Sequence, residues 1–308
     1  VCLTASNSIK FLERIEFDAF YKKKISTAAS PSSLHRQVVH CGQNTFIYAF
    51  TNLGNCVKID LSEVEPADYR SVGVKLEAIA DGVAKGEYPV KIFAVNDTPQ
   101  GDVLFYTKQG TRQRTQWSEY MLTKRVFPAI KLKDGDEVLN VENFDEDEFS
   151  TMLLVTKKAL CLNAVKDDVP VQGRVAGGVR GISLNDGDEV IFATQQNGEG
   201  EVIIATTFST FKRVISSLFD PHGRGSKGMM IADIKGKGDI LYADYVTVPY
   251  KLAVMSADKT VTEIDTESIN IEPRVSRGKP LAGINNVVRV VPLKYKSEFE
   301  GNGVQLKF

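Results

Sequence analysis

Six basic residues recur at one phase of this 308-residue chain and set the first question about its chemistry. Each is counted from a Thr or Ser that closes a β-branched or aromatic run: Thr4, Thr51, Thr107, Thr156, Thr206 and Ser256. Lys22, Arg70, Arg125, Arg174, Arg224 and Arg274 follow these at 18, 19, 18, 18, 18 and 18 residues. More cations stand nearby: Lys23, Lys24, Lys58, Arg112, Arg114, Lys124, Arg180, Lys212, Arg213, Lys227, Arg277 and Lys279. Cationic groups at regular intervals suit a polyanion, and the planar fork of Arg matches phosphate oxygens in pairs. Duplex DNA carries one charge for about every 1.7 Å of axis, so six contacts would give a log–log salt slope of roughly −5. They would also have to offset the bending of a curved duplex, of order 1–6 kcal/mol for a 20–30 base-pair site. The bland alternative is that each Arg merely pairs with an acidic turn of its own repeat, in the way of common and weak surface ion pairs.

Catalytic chemistry finds little material. There is no G-x-S-x-G, and His35, His40 and His222 are the only histidines. Gly223-Arg224-Gly225-Ser226-Lys227-Gly228 fits G-x-x-x-x-G, but Met229-Met230 follows where a phosphate loop needs Lys and then Ser or Thr. Asp134/Asp136 and Asp186/Asp188 recur in successive repeats and read as turn formers. Cys2, Cys41, Cys56 and Cys161 include no C-x-x-C pair, and neither they nor the histidines have metal-ligand spacing, so reduced thiols and no metal site are expected.

The elements that position the cations follow from the repeat itself. The Thr or Ser markers are 47, 56, 49, 50 and 50 residues apart, each followed by a short turn and an alternating segment. Asn52-Leu53-Gly54-Asn55 and Lys108-Gln109-Gly110 are such turns, and two short strands about one make a hairpin. A second turn, Asp134-Gly135-Asp136-Glu137-Val138, returns as Asp186-Gly187-Asp188-Glu189-Val190. Each repeat reads as strand, turn, strand, Arg loop, strand, Asp-Gly turn, strand. Such a sheet cannot bury both faces alone, whereas six arranged radially cover one another. The expected fold is all-β, a single propeller-like domain over residues 1–308, with units of about 1–44, 45–96, 101–143, 150–195, 200–245 and 249–293. Residues 26–42 are expected to be a mobile loop and Asp145-Glu146-Asp147-Glu148 a solvated connector. Phe208, Phe211, Phe219 and Trp117 are expected in the core. The charge balance, 38 Lys plus Arg against 39 Asp plus Glu, can then hide a basic belt between acidic ends. No run approaches the roughly 18–20 apolar residues of a membrane-spanning helix, and the opening Val1-Cys2-Leu3-Thr4 reads as a strand under way in a fragment of a longer, cytoplasmic protein.

Residues 172–190, beginning Gln172-Gly173-Arg174-Val175-Ala176-Gly177-Gly178 and ending in the Asp-Gly turn, together with 222–228, resemble the repeat of bacterial type IIA topoisomerase A subunits. The resemblance implies the six-bladed β-pinwheel that forms the C-terminal domain of gyrase and topoisomerase IV A subunits. It also implies a basic outer face that binds and bends duplex DNA for strand passage. The strand-cleaving Tyr, ATP and Mg would then belong to other domains or to a topoisomerase B (ATPase) subunit. The parent A protein would be a homodimer, and this fragment would be non-catalytic. Gyrase subunits carry a Gln-Arg-Arg-Gly-Gly-Lys-Gly box in the first blade; here the place reads Tyr21-Lys22-Lys23-Lys24-Ile25-Ser26-Thr27, without glycines. That departure favours topoisomerase IV-like relaxation and decatenation over gyrase-like supercoiling. The rival reading is a propeller used as a protein-binding scaffold, which would show an apolar patch in place of a basic perimeter.

Overall fold

The computed structural model describes residues 1–22, 31–42, 45–95, 99–147, 150–235 and 238–294. The recurrent Thr or Ser is the pivot of a hairpin in all six repeats. The residue three places on (Asn7, Gly54, Gly110, Ala159, Ser209 or Lys259) lies in the left-handed region, with φ between 59° and 80°. Its amide donates back to the Thr or Ser carbonyl at 2.9–3.1 Å. In four repeats the Thr hydroxyl also accepts the amide four residues on, from Ser8, Asn55, Thr111 and Leu160, at 3.0–3.1 Å. A short polar side chain that bonds its own backbone is what a tight turn rewards. The Asp-Gly turn buttresses this hairpin. Asp136 Oδ1 accepts the Gln109 amide at 2.9 Å, and Asp188 Oδ1 accepts the Lys158 amide at 2.9 Å.

Six small sheets result. Blade 1 contains β1 (Cys2–Thr4), β2 (Ile9–Lys10) and β3 (His35–Val38). Blade 2 contains β4 (Phe46–Thr51), β5 (Asn55–Asp60) and β6 (Pro89–Val95), with β9 (Val126–Pro128) on its outside. Blade 3 contains β7 (Asp102–Thr107), β8 (Thr111–Gln116) and β10 (Val138–Asn143), with β13 (Val179–Arg180) outside. Blade 4 contains β11 (Thr151–Thr156), β12 (Leu160–Val165) and β14 (Val190–Gln196), with β17 (Pro221–His222) and β18 (Met229–Met230) outside. Blade 5 contains β15 (Glu201–Thr206), β16 (Thr210–Ile215) and β19 (Ile240–Val246), with β22 (Lys279–Pro280) outside. Blade 6 contains β20 (Lys251–Ser256), β21 (Val261–Asp265) and β23 (Val287–Pro292). Strands β6, β10, β14, β19 and β23 touch in succession and form the inner wall. The core is divided among the spaces between blades. Phe50 and Phe105 meet between blades 2 and 3, Leu154 and Leu104 between 3 and 4, and Leu153 and Ile204 between 4 and 5. Ala253 and Val291 meet Ala5 and Leu34 between blades 6 and 1, which closes the ring.

The all-β, six-bladed expectation stands, with one correction. The third strand of a repeat does not join its own sheet but forms the outer strand of the preceding one. Val179 and Arg180 pair antiparallel with Arg112 and Thr111, and Lys279 and Pro280 pair with Phe211 and Thr210. In blade 1 the same place is taken by an isolated bridge between Ile9 and Val74. Gly178 shows why: at φ +69° an added Cβ would sit 2.5 Å from the Arg112 carbonyl oxygen. Only glycine lets the loop come that close in that conformation.

Repeat 1 departs further. A helix, α1 (Arg14–Lys22), packs Phe17 and Tyr21 against Cys2, where only loop and strand are expected. Of residues 26–42, the described part (31–42) includes β3, the inner strand of blade 1. Phe211, Phe219 and Trp117 are buried as expected, but Phe208 is 44% exposed in a turn. Among the described residues no helix is long and apolar enough to cross a membrane.

Candidate nucleic-acid interface

The sheet order sorts the eighteen candidate cations by distance from the axis. Lys23 and Lys24 lie outside the described residues, and Lys22 ends α1. Arg70, Lys124, Arg125, Arg180, Arg224, Lys227, Arg277 and Lys279 are exposed. Each lies in an outer strand or in the loop that leads into or links one, so together they mark the outer edges of blades 1 to 5 in succession. The Arg224 backbone is fixed by Asp168, whose Oδ2 accepts its amide at 2.6 Å, while its side chain extends from an exposed loop. Arg277 lies over the Phe208 ring at 5.7 Å. Arg70 bonds the Tyr69 hydroxyl at 3.0 Å, and that bond holds its guanidinium above the usual range.

Other candidates are engaged within the fold. Arg112 and Lys212 are corrections: both are fully buried, at 0% exposure, and cannot meet a duplex. Arg112 reaches from blade 3 into blade 4, donating to the Val165 carbonyl at 3.3 Å, and burial lowers its pKa. Arg114 and Arg213 are ion-pair members, to Asp102 at 2.5 Å and Glu201 at 2.8 Å respectively. Arg114 also stacks on Phe144 at 3.6 Å. The acidic connector is exposed at 145–147, and its Glu146 pairs with Arg114 at 3.2 Å. Lys58 is half-buried over Phe46 at 4.2 Å.

Arg174 and Arg274, two members of the phase pattern, are half-buried brackets. Arg174 Nη1 donates to the Pro128 carbonyl and Arg274 Nη1 to the Met230 carbonyl at 3.0 Å. Arg125 Nη2 reaches the Ile79 carbonyl at 3.1 Å in the same way. At these three positions the Arg brackets the backbone of the preceding repeat in place of an Asp-Gly turn of its own, and Arg125 also pairs with Glu63 at 3.6 Å. Lys133 is an exposed cation outside the phase pattern. It shares with Arg180 a polar cavity of about 220 Å³ that Gln109, Thr111 and Ser183 also line. Its signal in the sequence is a basic residue directly before the Asp-Gly turn. Among the described residues no three His, Cys, Asp or Glu side chains converge as metal ligands do.

The ring and its outer strands have counterparts among known proteins. Residues 45–80, 128–145, 151–197 and 200–247 match the family described as DNA gyrase C-terminal domain, beta-propeller. The chain belongs to the DNA gyrase A C-terminal domain family. Its relatives include the DNA gyrase A protein of Chlamydia trachomatis, 26% identical over 257 residues and 82% of this chain. Another is the DNA gyrase A protein of Staphylococcus aureus, 26% identical over 275 residues and 86% of this chain. The chain spans 31% of the length of each of these relatives. Among solved structures, the C-terminal domain of DNA topoisomerase IV superposes with a TM-score of 0.82 at 19% identity, covering 97% of this chain and 96% of that one. The DNA gyrase A C-terminal domain gives 0.67 at 18% identity, covering 95% and 98%. At these identities the superpositions speak for the fold, a six-bladed pinwheel.

Proposed function

We propose that this chain is the duplex-binding domain of a type IIA topoisomerase A protein and bends DNA along its outer rim for strand passage. The observation that carries this reading is the run of exposed cations on the outer edges of five successive blades. A curved belt of this kind can follow a backbone without reading bases, and such binding is salt-dependent and indifferent to sequence. The brackets Arg174 and Arg274 serve it indirectly, by fixing the loops that carry Arg180, Arg277 and Lys279.

Within that reading, relaxation and decatenation are favoured over supercoiling. Tyr21-Lys22 ends a helix where glycines would be needed for close backbone approach to phosphate. ATP and Mg chemistry is assigned to other domains of the homodimeric parent and to its ATPase partner. The rival scaffold reading needs a continuous apolar patch. The exposed apolar residues Val175 and Val275 instead each follow a bracket Arg, Arg174 and Arg274, in the loops that lead to the outer strands.

The deciding experiment is a gel shift of the 308-residue chain with a long duplex across a salt series. Eight exposed rim cations give an upper bound of roughly −7 on the log–log slope, at about −0.9 per phosphate. Absence of binding at low salt rejects the reading. A topology assay on the complete A protein with its ATPase partner then separates relaxation and decatenation from supercoiling.

A further inference from the structure

Six residues beyond each Thr or Ser stand Lys10, Val57, Gln113, Leu162, Lys212 and Thr262. The three long polar ones, Lys10, Gln113 and Lys212, are all at 0% exposure, and each crosses the joint into the Arg loop of the next repeat. Lys10 Nζ donates to the Tyr69 carbonyl, beside Arg70, at 2.8 Å. Gln113 Nε2 donates to the Arg174 carbonyl at 2.9 Å, and its Oε1 accepts the Gly177 amide at 3.0 Å. Lys212 Nζ donates to the carbonyls of Pro273 at 3.0 Å, Arg274 at 2.8 Å and Ser276 at 2.8 Å.

The geometry points to Lys212 as a positioning residue for the rim, a buried clasp that holds the loop bearing Arg274, Arg277 and Lys279 in its duplex-binding form and relaxes when it loses its proton. This rests on the duplex-binding reading above. Three converging carbonyls need three donors, which an ammonium has and a neutral amine lacks. Gln113 shows that an uncharged donor can hold the equivalent loop, so the clasp does not require charge as such.

Burial, with Arg274 beside it, pushes the Lys212 pKa down to about 8, opposed by Glu272. These two loop residues are the ionisable groups that act on it. Glu272 is engaged with the Ser276 hydroxyl at 2.5 Å, and Arg213, next on β16, is taken up by Glu201 at 2.8 Å. The sign is distinctive. Because an unfolded Lys keeps its proton to about 10.5, the contribution of Lys212 to folding stability rises with pH from about 8 to 10.5, while its hold on the loop falls.

The test compares the chain with its Lys212→Gln and Lys212→Met variants. Amide exchange of residues 274–279 is measured without DNA, and duplex affinity from pH 6.5 to 9.5 at fixed ionic strength. The expected result is faster loop exchange in Lys212→Met than in wild type or Lys212→Gln at pH 7. The wild type should also lose about tenfold more affinity than Lys212→Gln between pH 7 and 9, a difference of about 1.4 kcal/mol. Parallel pH profiles for wild type and Lys212→Gln, or unchanged loop exchange in the Met variant, would overturn the clasp. Lack of wild-type duplex binding at every pH would instead sink the duplex reading, with the exchange data still deciding the clasp. If Lys212→Met does not fold, the wild type against Lys212→Gln comparison decides alone.

Discussion

Gly178 and Arg112 face each other at the outer edge of blade 3 and make opposite demands on their neighbours. An alanine at 178 would have to keep φ near +69° with its Cβ 2.5 Å from the Arg112 carbonyl. Gly178→Ala should therefore cost about 1–3 kcal/mol in denaturant unfolding, while the folded fraction keeps its duplex affinity. Arg112 leaves Nε and Nη2 without partners although buried. Arg112→Met should unfold at the same or a higher denaturant midpoint and shift duplex affinity by less than about twofold, because an incompletely paired buried charge is replaced by an apolar chain. A third residue sets an acid limit. Burial, reinforced by the charge of Lys10, pushes the His35 pKa down to about 3, so the folded chain refuses a proton that the unfolded chain accepts near 6.5. Stability should then fall as pH drops through that window, by about 1.4 kcal/mol per pH unit for this group. Unfolding curves for His35→Phe should lack that slope.

At the level of elements, the outer strands and their loops carry the proposed function. Charge reversal at Arg224 and Arg277 together should cut duplex affinity and lower the salt slope by about 1.8, with melting temperature unchanged, since both side chains are exposed and their loops are held by other groups. Reversal at Arg174 should instead lower stability, because its guanidinium brackets the Pro128 carbonyl. The same division separates what is legible in the sequence from what is not. Thr51 and Gly54, or Thr107 and Gly110, declare a hairpin because a turn needs those residue types locally. The fate of Arg112 against Arg180 is not legible. A strand normally buries one face, but each blade is covered on both, so alternation does not separate inside from outside, and distance from the axis does. The partner of a two-residue strand such as Val179–Arg180 is equally hidden, since it depends on a backbone approach made only in three dimensions. The helix Arg14–Lys22 escapes detection because its apolar face is short and its support, Cys2, lies in another element.

For the whole molecule, the six-layered core ties stability to the ring rather than to any one sheet. Removing everything after Val248 should damage two blades. Blade 6 is lost outright, and blade 5 loses β22 from the edge of β16 together with the Lys212 contacts. Amide exchange in Thr210–Ile215 of such a truncation should rise sharply compared with Thr111–Gln116, and equal protection in both would show that the blades are independent. The borrowed strand also gives manufacture a direction. On the ribosome a sheet of this chain stays unfinished until the following repeat, some fifty residues on, has emerged. At ordinary elongation rates that is a wait of about 3–10 s per sheet. Each of blades 2 to 5 spends that interval with one raw margin, open to a chaperone or to the wrong neighbour.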